Sequence, residues 1–99
     1  MEEKAKKIAE LLKVLANENR LLILCALMQK AMSVGEIGKF VPCITQSALS
    51  QHLNMLKSHS ILESDKIGMN VIYHIADHRV EEIIHVLKAH YCDIDMDTI

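Results

Sequence analysis

The side chains of this sequence that can serve as nucleophiles, redox centres or metal ligands are its three cysteines and six histidines. Cys25, Cys43 and Cys92 are odd in number and widely spaced, with no CxxC. That pattern excludes the disulfide framework of a small secreted domain and points to thiols kept reduced in a cytosolic protein. His78, His85 and Cys92 recur every seven residues. On one helix this repeat sets neighbours about 10 Å apart, too far to share a single ion. Glu82 falls between the two histidines at helical spacing, an arrangement common on exposed faces. No P-loop, dinucleotide fingerprint or nucleophile elbow occurs, so neither an enzyme nor a cofactor is expected. Cys43 stands beside Pro42, just before an expected helix whose N-terminus can lower a thiol pKa. A loop thiol without a role is its plainest reading.

The frame for these groups is one domain, expected over residues 1–92, with an acidic tail over 93–99. A chain of 99 residues with 51% apolar content can build a single core and is too apolar for disorder. Aromatic residues are only 3%, too few for an RNA-binding sheet that stacks bases on rings. The net charge of −2 excludes a bulk polycation. Asp93, Asp95 and Asp97 carry that imbalance; without them the 11 basic residues are one ahead, which leaves room for local contact with DNA. The densest apolar run, Leu21 to Met28, is too short to span a bilayer, and the N-terminus enters an amphipathic pattern directly, so neither membrane nor secretion is expected.

Ile8, Leu11, Leu12 and Leu15 predict an amphipathic first helix. Asn17 predicts the cap of a second, whose Leu21 to Met28 is apolar on nearly every side, as in a central buried helix. Ser33 and Glu36 form a capping box for a short third helix using Val34, Ile37 and Phe40 and ending at Pro42. Thr45 caps a fourth, from Gln46 to about Ser58. Val71, Tyr73 and Ile75 then alternate as a strand, with Ile61 to about Asp65 as its partner and Gly68 and Asn70 in the turn. Asp77 caps a last helix carrying Val80, Ile83, Ile84, Leu87 and Tyr91 on one side. The fold class is mainly α with a small β-hairpin, in the order α-α-α-α-β-β-α: a winged helix-turn-helix.

At about 100° per residue the fourth helix separates cleanly. Ala48, Leu49, His52, Leu53, Met55 and Leu56 fill one arc, and Gln46, Ser47, Ser50, Gln51, Asn54, Lys57 and Ser58 the other. The polar arc has almost no charge, unlike an ordinary solvated face rich in Glu and Lys. Amides can pair with adenine, and serine hydroxyls are short enough to let a helix approach base edges. This arc is therefore the candidate major-groove reader. The hairpin is the wing, with Lys66 its one cation; Ile67 and Met69 beside it suit packing better than phosphate contact. His52, in the apolar arc, reads as a packing histidine.

The stretch Thr45-Gln46-Ser47-Ala48-Leu49-Ser50-Gln51-His52-Leu53 resembles the recognition helix of the ArsR/SmtB family of bacterial winged-helix repressors. Leu15-Ala16-Asn17-Glu18-Asn19-Arg20-Leu21-Leu22-Ile23-Leu24 resembles the opening of that family's second helix, and the similarity runs over about residues 8–92. It implies a homodimer, joined through its first and last helices and bound to an inverted-repeat operator in double-stranded DNA. Gln46, Ser47, Ser50 and Gln51 match positions that face DNA in the family; Asn54, Lys57 and Lys66 join them on the arc and wing. Ile23-Leu24-Cys25 and Tyr91-Cys92 resemble the cysteine contexts of the SqrR/BigR/HlyU-like dithiol branch, whose inducers are reactive sulfur species. The resemblance thus implies a Cys25/Cys92 redox switch, with packing as the alternative role of Cys25. The other inducer class is a metal, held by histidines and carboxylates of the last helix. In the zinc and cobalt branch that helix bears Asp-x-His and His-x-x-His, whereas here Asp77 is followed by Arg79 and His90 by Asp93, so half the set is missing. The arsenic-type cysteine cluster is also absent from Val34 to Val41. A winged helix serving only protein–protein contacts would not need the polar reading arc.

Overall fold

A computed structural model describes residues 1–91. The helices are α1 (Glu2–Leu15), α2 (Glu18–Gln29), α3 (Val34–Gly38), α4 (Gln46–Ser58) and α5 (His78–His90). The strands are β1 (Met32–Ser33), β2 (Leu62–Ile67) and β3 (Asn70–Ile75). The expected caps all form. Asn17 accepts from the Arg20 amide, Thr45 from Ala48 and Asp77 from Arg79, and Ser33 and Glu36 close a reciprocal capping box.

The sheet differs from the expected hairpin. It has three antiparallel strands in the order β1-β3-β2, because Met32 and Ser33 pair with Tyr73 and Ile72. Two residues show no periodicity of their own; the pairing is imposed by β3. Helix α3 stops at Gly38, four residues before Pro42, and β2 runs two residues further than expected, pairing Ile67 with Asn70. The turn is thus Gly68-Met69, with Gly68 at φ 64°, the first central position where a type II′ turn favours glycine.

The core is a single apolar cluster. Helix α2 contributes Ile23 to Leu27 in succession, as its all-round apolarity predicts, and α4 contributes Leu49, Leu53 and Leu56. Met32, Ile37, Ile61 and Leu62 close the space between helices and sheet. Two expected stripes turn out of it. Val80 and Ile84 of α5 are buried but Leu87 and Tyr91 are exposed, and on α1 burial is confined to Val14 and Leu15.

Helix α4 ends in a Schellman motif. The Ile61 amide donates to the Leu56 carbonyl at 3.0 Å and the Ser60 amide to Lys57 at 3.0 Å, while Leu56 and Ile61 bury their side chains together in the core. Ser60 sits at φ 60° to make this turn, a position where glycine avoids the steric cost of a Cβ. Ser60→Gly is therefore expected to raise unfolding free energy by roughly 0.5–1 kcal/mol, read as a higher urea midpoint at unchanged slope.

Candidate DNA interface

The candidate reading face is built by burying the opposite one. Leu49, Leu53 and Leu56 anchor α4 against α2 and the sheet, which leaves Gln46, Ser47, Gln51, Asn54 and Lys57 exposed and Ser50 half-buried. Met55, expected in the apolar arc, is instead exposed, since it lies at the border where the core ends. Lys66 is exposed on β2 near the wing tip. Ile67 and Met69 do not pack; Met69 is 95% exposed, because the two-residue turn carries it beyond the reach of any helix. The candidate interface thus combines a polar, nearly uncharged helix face with an apolar wing tip.

Two contacts missed by pattern reasoning hold this surface together. Lys57 Nζ donates to Ser64 Oγ at 2.7 Å, joining the last turn of α4 to β2. Arg20 Nε donates to His52 Nδ1 at 3.3 Å, so His52 is a hydrogen-bonded residue and not only a packing one. Burial of His52, and then the charge of Arg20, hold its pKa below the usual histidine value. The signal for Arg20 was present in the Asn17-Glu18-Asn19-Arg20 motif, but its partner lies 32 residues away.

Cys25 is 1% exposed inside α2, which packs against α5, and Cys43 is exposed in the loop before α4. Cys92 lies outside the described residues, as does the tail over 93–99. Among the described residues no three His, Cys, Asp or Glu side chains gather to hold a metal ion. His78 pairs with Glu81 at 3.6 Å rather than with Glu82. No helix among the described residues is long and apolar enough to cross a membrane.

A family model for HxlR-like helix-turn-helix proteins matches residues 14–94. The chain belongs to that family. Its relatives are winged-helix transcriptional regulators of the ArsR/SmtB type, as the two sequence motifs indicate. The transcriptional activator HlyU of Vibrio cholerae is 39% identical, with 93% of this chain and 84% of that protein covered. The biofilm growth-associated repressor of Agrobacterium fabrum is 35% identical over 93% of this chain and 78% of its own length. Reduced HlyU superposes with a TM-score of 0.86 over 93% of this chain and 96% of that one. A homodimeric winged helix-turn-helix DNA-binding domain from Mycobacterium bovis, 26% identical, gives 0.78 over 98% and 88%.

The Lys57–Ser64 bond ties the wing to the candidate reading helix. Ser64→Ala should speed amide hydrogen exchange in β2 and β3 while leaving α4 protected, with a stability change below about 1 kcal/mol for an exposed bond. Unchanged exchange in the wing would show that the sheet alone holds it.

Proposed function

We propose that this protein is a homodimeric transcriptional repressor that reads an inverted-repeat operator through α4, and that reactive sulfur releases it by joining Cys25 to Cys92. The observation that carries the operator reading is the exposed row of amides and hydroxyls on a helix whose other side is locked in the core. A helix so presented can enter a major groove, and amide side chains can read adenine there. With Lys57 and Lys66 as its cations, phosphate contacts are few, and affinity falls with salt on a shallow slope.

The dimer reading is supported by apolar surface left open on the two terminal helices. Ile8 on α1 is 57% exposed and Val86 on α5 is 52% exposed. Arg79 borders both the cleft against Ile8 and Leu11 and the groove of Ile83, Val86 and Leu87, so these residues belong to one surface. The homodimeric relative from Mycobacterium bovis supports a homodimer.

The thiol reading is supported by Cys25 on α2, the helix that packs on both α4 and α5, and by a relative whose structure is described as its reduced form. One cysteine thiolate attacks a polysulfide sulfur, displacing a shorter polysulfide and leaving a cysteine persulfide. The second thiolate then attacks the cysteine sulfur and expels hydrosulfide, leaving a disulfide; if the first attack, at an inner polysulfide sulfur, leaves a Cys–S–S–SH chain, attack on its middle sulfur expels hydrosulfide and leaves a trisulfide bridge. A link from α2 to Cys92, two residues past α5, changes how the terminal helices meet, and thus the spacing of the two reading helices.

Ser50→Glu should abolish binding to the duplex upstream of the protein's own gene while the circular dichroism spectrum and urea midpoint stay near wild type, because the carboxylate faces phosphate-rich DNA. Cys25→Ser should bind that duplex and lose its response to polysulfide, and mass spectrometry of treated wild type should find Cys25 and Cys92 in one linked peptide pair. A normal polysulfide response in Cys25→Ser rules out the thiol switch.

A further inference from the structure

We infer that Arg20 is a positioning residue for operator reading, holding α4 through His52 by a contact that exists only while His52 is neutral. The inference rests on the operator reading above and deepens it. Arg20 reaches three elements at once. Its Nε donates to His52 Nδ1, another guanidinium nitrogen donates to the Val14 carbonyl at 3.0 Å, and its amide donates to the Asn17 cap at 3.1 Å. One residue therefore ties the last turn of α1 and the first turn of α2 to the middle of the reading helix. His52 adjoins Gln51 and lies two residues from both Ser50 and Asn54, so its anchorage sets where those side chains point. Arg20 also shares α2 with Cys25, five residues on. A shift of α1 against α2 reaches α4 through this side chain.

The chemistry of the pair dictates its protonation. Guanidinium nitrogens only donate, so the imidazole nitrogen facing Arg20 must be the one without a proton, and His52 is the neutral Nε2–H tautomer. A proton on Nδ1 would set two donors and two positive charges against each other, and the contact would open. Burial first, and the Arg20 charge second, lower the pKa of His52. The linked state thus binds a proton more weakly than a released imidazole does. The contact is intact above the usual histidine range, about 6.5, and is lost as pH falls through the lowered value. Of the charged groups near it, Arg20 is the one that acts on its protonation, and it acts in the same direction as burial. Arg20 faces His52 from α2 and is itself held at the end of α1 by the Val14 carbonyl. Within and after α4, Lys57 is held by Ser64 and His59 bonds to the Met55 carbonyl. On β2, Glu63, Asp65 and Lys66 face solvent, and on α3 Glu36 caps its own helix while Lys39 is exposed.

The test is fluorescence anisotropy with the duplex from immediately upstream of the protein's own coding sequence, at constant ionic strength, from about pH 8 to about pH 5.5. Wild type should bind evenly at the upper end and lose about tenfold in affinity toward the acid end. His52→Asn keeps an acceptor near the Nδ1 position and cannot titrate, so it should bind tightly with that acid loss removed. Arg20→Gln should bind about tenfold more weakly at pH 8 and show little further loss. A wild-type acid loss in His52→Asn overturns the proposal. So does nitrogen NMR of wild-type imidazoles at neutral pH if His52 carries its proton on Nδ1, a result independent of DNA and of any variant's folding. Failure of wild type to bind at pH 8 would overturn the operator reading itself, and the positioning role with it.

Discussion

The seating of α4 on α2 is the constraint from which the rest of the molecule follows. Three leucines of α4, Leu49, Leu53 and Leu56, enter a core whose centre is the run from Ile23 to Leu27. Burial of each stabilises by roughly 1.5–3 kcal/mol, so rotating α4 to hide its serines and amides would forfeit several such contributions and leave unsatisfied polar groups behind. The polar side is on the surface because the apolar side has nowhere else to go. A helix with this division can present uncharged hydrogen-bonding groups to a partner without relying on side chains of its own to cover them.

Seating alone leaves a helix free to slide and tilt, and the structure restrains both. Thr45 caps the first turn, Arg20 holds the middle through His52, and the Schellman motif closes the last turn directly into β2. Lys57 then fastens the wing to the same helix. The candidate reading helix and the wing are therefore joined at two places, by the turn that closes α4 and by the Lys57–Ser64 bond.

Those two helices divide the labour with α5. Helix α2 is consumed by the core, whereas α1 and α5 touch the core at one end and carry apolar side chains outward along much of their length. Such half-used helices suit an assembly in which a second copy completes the packing. Placing Cys25 on the buried helix puts a thiol where a covalent change is felt by the elements packed around it, at the cost of low accessibility.

Periodicity and capping chemistry are local, and they were legible in the residues themselves. Asn17, Ser33, Thr45 and Asp77 marked four helix starts, the alternation around Tyr73 marked a strand, and the two arcs of α4 marked the candidate reading face. Contacts between distant residues leave no such trace. The pairing of Met32 with Tyr73, the Arg20–His52 bond and the Lys57–Ser64 bond exist only because the folded chain brings separated segments together. Amphipathic patterns also tell which side of a helix is apolar but not whether its own subunit covers it, so Leu87 and Ile8 were recognisable as apolar stripe residues while their exposure was not. Sequence determined the elements and the chemistry of the face; tertiary structure decided what holds that face in place and which apolar stripes remain open, because both depend on what lies across the gap rather than along the chain.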